Sequence, residues 1–182
     1  MSRSFRGYCI KLSDLRSMLT NPPANLHDEI RERLTRRAQV FDPKAKASGP
    51  STREQLIEFL KSDTEGTLLE IICMLRGVPI ESVFFEDVHL LGLYEALEAG
   101  MGGGVCEQLK EPRLPVPLPS RPDGGGQPWI SYLTLEEIEE GLARPDKEDP
   151  DMDNWVADAR DDLRVWLETA RDHGTDLVVF GD

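Results

Sequence analysis

The side chains best suited to chemistry in this sequence are three histidines, three cysteines and one alternating run of aspartates. His27, His89 and His173 stand far apart and none belongs to an H-E-x-x-H pair, so no zinc-hydrolase helix is present. Asp149, Asp151 and Asp153 alternate as in a calcium loop. The sixth position, however, is Asn154 where glycine makes the sharp turn, and the twelfth is Arg160 where a bidentate glutamate belongs. The run therefore reads as a solvated acidic turn leading into a helix N-terminus, where carboxylates are favoured. Cys9, Cys73 and Cys106 form no C-x-x-C pair, which argues against both a disulfide framework and a zinc ribbon. Cys9 and Cys73 lie in apolar runs and act as small hydrophobes. Cys106 has Glu107 beside it, the wrong charge for activating a thiol. There is no Gly-Lys dipeptide, hence no P-loop, and neither a G-x-S-x-G elbow nor Ser-x-x-Lys. Asp172-His173 could pair as acid and base, but a histidine ending a helix more simply offsets its dipole. Hydrolysis by paired carboxylates stays open, because their separation is not legible in a sequence. No catalytic residue, metal or cofactor is assigned.

Charge is more informative. The 182 residues carry a net charge of −13, distributed unevenly: residues 1–53 hold 11 basic and 5 acidic groups, residues 54–182 hold 10 and 29. This balance excludes a general nucleic-acid binder, which needs clustered Lys and Arg to neutralise phosphates. Arg31, Arg33, Arg36 and Arg37 form a cluster that could touch nucleic acid. They spread around their helix, however, and several sit at the end its dipole favours, so a solvated helix is the reading. The acidic part is sharper. At 100° per residue, Asp158, Asp161, Asp162 and Asp172 share one arc, opposite the apolar stripe of their helix, with Val165 in its middle. A neighbouring helix adds Glu136, Glu137, Glu139 and Glu140. Such acidity keeps a protein soluble; it also suits a docking face for a basic protein. Asp158, Asp161, Asp162, Val165, Glu136, Glu137 and Glu140 are the expected contacts, in a non-catalytic binding protein of inhibitor or immunity-like role. The alternative is an enzyme or ligand binder with a pocket at Trp129, Tyr132 and His173, against which the aromatics also read simply as core.

These groups need a frame. Residues 5–12 alternate in a way that fits a strand partly buried on both faces. A short helix from Ser13 stops at Asn21-Pro22-Pro23, and a second, capped by Asn25, runs to about Phe41 with Leu26, Ile30, Leu34 and Phe41 on one side. Ser51-x-x-Glu54 has the form of a capping box, and so has Thr134-x-x-Glu137. Leu68 to Leu75 is the most apolar run and predicts a central core helix; residues 83–99 continue helical. Residues 110–128 hold six of the thirteen prolines and predict an extended Pro/Gly arm outside the domain. Trp129 to Leu133 predicts a strand. Asp151 or Asp153 caps a long helix with Trp155, Val156, Ala159, Leu163, Trp166, Leu167 and Ala170 on one stripe. Gly174 closes it before a last strand, Leu177 to Phe180.

The opening strand, the stretch LPVPLPSRPDGGGQPWISYLT, the helix LEEIEEGLA and the ending DDLRVWLETARDHGTDLVVF resemble the YfbM-like family of uncharacterised bacterial proteins. The likeness covers about the first twenty and last seventy residues; residues 40–110 match poorly. It implies an α+β fold with a small sheet, and it carries over no functional residue. The expectation is thus one helix-rich α+β domain over residues 1–182. Its small sheet would include the N- and C-terminal strands, with the long Trp helix and the 68–75 helix on the same inner side. No uncharged run reaches the roughly 18 residues of a membrane span, and Lys11, Asp14 and Arg16 interrupt any signal-peptide core. With no disulfide framework, a cytoplasmic protein is expected.

Overall fold

A computed structural model of the chain describes residues 2–44, 46, 49–64, 66–80, 83–86, 105, 108–109, 112–118, 129–144 and 154–181. The fold is α+β: the described residues form six helices and a small antiparallel sheet that includes both terminal strands. Strand β1 (Ser2–Cys9) is central. On one side it pairs with the C-terminal strand β5 (Leu177–Gly181), Phe5 opposite Gly181 and Cys9 opposite Leu177. Beyond β5 lies β4 (Trp129–Leu133). The other edge of β1 is shared by β2 (Val78–Pro79), opposite Tyr8 and Cys9, and β3 (Val83–Glu86), opposite Ser2 to Phe5.

Alternate residues of β1, β4 and β5 enter two separate cores. Phe5, Cys9, Leu133, Leu177 and Val179 face one side, where α5 (Leu135–Leu142) and α6 (Asn154–Asp172) bring Ile138, Leu163, Trp166, Leu167 and Ala170. Gly7 admits the Trp166 ring: a Cβ there would stand 3.0 Å from its carbons. Tyr8, Ile10, Ile130, Val178 and Phe180 face the other side, covered by α1 (Leu12–Thr20), α2 (Leu26–Phe41), α3 (Arg53–Ser62) and α4 (Thr67–Arg76). The long Trp helix and the 68–75 helix therefore lie on opposite faces, not on one. A sheet apolar on both sides must be covered twice, since each buried methylene is worth about 0.8 kcal/mol.

Local chemistry explains the boundaries. The Thr134 hydroxyl accepts from the Glu137 amide at 3.3 Å while the Glu137 carboxylate accepts from the Thr134 amide at 2.7 Å, the complete box expected. At α3 the cap falls one residue later than Ser51. Extended Thr52 accepts from the Gln55 amide, and Gln55 in turn accepts from the Ser51 amide. Asn25 has helical dihedrals and makes no side-chain cap, donating to Glu29 instead. Gly174, at φ +60°, completes a Schellman closure of α6, with Thr175 N–H on Ala170 and Gly174 N–H on Arg171.

Three further expectations are corrected. Residues 83–86 are strand, not helix, because β-branched and aromatic Val83, Phe84 and Phe85 sit opposite an open edge of β1; 87–99 lie outside the described residues. Phe41 is exposed, since α2 buries only Leu26 and Ile30 fully and runs beyond the core. The arm does not stay outside over 112–118: Leu114, Val116 and Leu118 pack into the α1–α4 side, and the Arg113 N–H bonds the Ile130 carbonyl on β4. Residues 119–128, the candidate caps Asp151 and Asp153, and the side chains of Trp155, Val156 and Ala159 lie outside the described part. Among the described residues no helix is long and apolar enough to cross a membrane.

Candidate functional site

The two acidic helices lie side by side over one sheet face. Their inner positions are committed: Ile138 and Gly141 on α5, with Leu163, Trp166, Leu167 and Ala170 on α6, are buried. What remains outward is mostly acidic, Arg171 near the end of α6 being exposed as well. Glu136, Glu139 and Glu140 are exposed on α5, which carries four glutamates and no basic residue in eight positions. On α6, Asp158, Asp161 and Asp162 are exposed, and Val165 among them is 56% exposed. Asp161 takes a hydrogen-bonded ion pair from neighbouring Arg160 at 3.2 Å, and Asp172 one from Arg171 at 2.9 Å. Both carboxylates stay in solvent, where such pairs contribute little. The surface offers acceptors for Lys and Arg around one apolar contact.

Glu137 differs from its neighbours. Arg113 pairs with it at 2.7 Å while the Thr134 amide and hydroxyl donate to its other oxygen. Burial pushes its carboxyl up, but these donors outweigh burial and hold it below the usual carboxylate range. It is a structural group, partly buried and committed to these donors.

The three residues of the alternative pocket do not form one site. Trp129 lies edge-on to Phe5 at 4.9 Å, against the α5–α6 core. Tyr132, three residues on, points to the opposite face and carries the Arg113 guanidinium 4.0 Å from its ring centre. His173 is exposed beyond α6, beside a cleft with Lys11, Asp14 and Thr175.

Two constellations were not read from the sequence. Asp176 caps two helices at once, accepting the Leu12 amide at 2.7 Å and the Leu135 amide at 2.9 Å, the first residues of α1 and α5. Glu70 is buried between the sheet and α4, where it accepts Arg6 at 2.9 Å and the Tyr8 hydroxyl at 3.1 Å. Burial, and then the Glu70 charge, push the Tyr8 phenol well above its ordinary value, so it stays a neutral donor. A lone carboxylate inside the most apolar run, Leu68 to Leu75, was the available signal: it must find a buried partner.

Fold and surface define a small α+β protein with two differently charged helical layers. The chain belongs to the family described as a domain of unknown function, DUF7691, which matches residues 1–182. No curated protein and no solved structure matches it.

Proposed function

We propose that this is a non-catalytic binding protein whose outer α5–α6 face engages a basic protein partner, in an inhibitor or immunity-like role. The observation that carries the reading is Val165: 56% exposed, with the exposed carboxylates of Asp158, Asp161 and Asp162 on the same side of α6 and those of Glu136 and Glu140 on neighbouring α5. Complementary charge accelerates encounter and excludes wrong partners, while an apolar contact adds residence. The kinship with YfbM-like bacterial proteins belongs to the same reading and rests on the terminal segments. Free, buried Cys9 and Cys73 support a reducing, cytoplasmic setting. The test is affinity capture at low and high salt with the wild-type chain and an Asp158→Lys/Asp161→Lys variant. Expected is one basic protein, retained at low salt, released at high salt and not captured by the variant. Capture indifferent to salt and to the substitutions overturns the reading.

A further inference from the structure

On the opposite side of the molecule, α2 overhangs β1 and α4 and leaves a cleft of about 350 Å³. Its walls carry four guanidinium groups, Arg33, Arg36 and Arg37 from α2 and Arg6 from β1, and one carboxylate, Glu70. The arginines expected to be a solvated helix end thus converge on a concavity. Glu70 faces inward and is engaged by Arg6 and Tyr8, and Arg36 is paired with Glu32. Arg33 and Arg37 form no ion pair among the described residues; both are exposed, at i and i+4 on the same side of α2. The floor and rim are apolar: Ile71 and Met74 from α4, Val40 from α2.

We infer that this cleft binds a small organic phosphate, its phosphoryl oxygens on Arg33 and Arg37 and its organic body on Val40, Ile71 and Met74. Three arguments select this class. With Arg6 held by Glu70 and Arg36 by Glu32, Arg33 and Arg37 leave two positive charges in the lining, which a phosphate dianion offsets better than a single carboxylate. Guanidinium forks match phosphate oxygens two at a time. The volume stands at the small end of ligand pockets, which run from about 300 Å³ upward, so it suits one compact ligand. The molecule's net charge of −13 disfavours a polymeric nucleic acid. The inference is independent of the acidic face.

The test uses the full chain and titration calorimetry at fixed ionic strength with phenyl phosphate, inorganic phosphate and benzoate. Phenyl phosphate is expected to bind about tenfold more tightly than either of the others. Arg33→Gln/Arg37→Gln, both exposed and outside the core, should weaken it by about tenfold or more with an unchanged circular dichroism spectrum. Val40→Ser should weaken phenyl phosphate about threefold and leave inorganic phosphate unaffected. No heat from phenyl phosphate at millimolar concentration, or equal affinity in the double variant, overturns the inference. So does a dimer of the wild-type chain in sedimentation that the double variant abolishes while phosphate has no effect; the face would then serve protein association.

Discussion

Helix α2 presents Arg33, Arg36, Arg37 and Val40, and helix α6 presents Asp158, Asp161, Asp162 and Val165, at the same successive steps of three, one and three residues. The patterns are equivalent apart from sign, yet the surfaces they make differ. Helix α6 is seated on the sheet through Leu163, Trp166, Leu167 and Ala170, so its charged side points straight into solvent. Helix α2 is seated only through Leu26 and Ile30, with Leu34 partly buried, so its C-terminal half projects past the core and its arginines overlook Arg6 and Glu70. A convex charged face is screened within about 8 Å at physiological salt, whereas a concave one with low-dielectric walls concentrates its field. How a helix is seated, rather than its pattern, separates an open charged face from a concave one.

Substitutions can test that contrast, beginning where charge is buried. Glu70→Ala should cost about 3 kcal/mol in urea unfolding, because Arg6 and the Tyr8 hydroxyl lose their common acceptor inside the fold. Glu70→Gln should recover part of it. A loss below about 1 kcal/mol would show that the cleft is not anchored by this group. Asp176→Ala should cost about 2 kcal/mol, since one side chain caps a helix in each layer. Its effect should exceed that of Thr134→Ala, at about 1 kcal/mol, which removes one cap on the acidic side alone.

Glu137 adds a pH dependence with a definite sign. Its folded carboxyl lies below its unfolded value, so the stabilisation is fully present above the unfolded value of about 4.3 and disappears as pH falls through the depressed folded one. Unfolding measured on descending from about pH 5 should show a smaller loss in Glu137→Gln than in the wild-type chain. The smallest effect belongs to the exposed face. Asp158→Lys/Asp161→Lys should change stability by less than about 0.5 kcal/mol, because neither carboxylate supports the fold. A large loss there would erase the distinction between the two layers.

Much of the frame was legible where neighbouring residues decide it. The Thr134–Glu137 box, the α6 stripe of Leu163, Trp166, Leu167 and Ala170, the turn at Gly174 and the pairing-ready strands at both ends each follow from interactions within about one helical turn or one strand. Val83 to Glu86 were misread because a short apolar run fits either helix or strand until an edge such as β1 is available to pair with. Phe41 was misread because periodicity shows which side of a helix is apolar, not where along its length the core ends. For the sites, the exposed aspartates were legible as an arc and the capping box set Glu137 apart from Glu136 and Glu140, but its pairing with Arg113, twenty-four residues away, was not legible.

Composition and order of residues were enough to establish an α+β fold, its terminal strands and the segregation of its charge, because each depends on short-range periodicity and on counts. Folding alone decided that the sheet is covered on both faces, that one aspartate at position 176 serves two helices, and that Arg6 and Glu70, sixty-four residues apart, meet beneath the arginines of α2. Those outcomes depend on which distant groups share a small volume. Burial makes an unpaired charge costly there, so it selects the partner, and no local pattern records that choice.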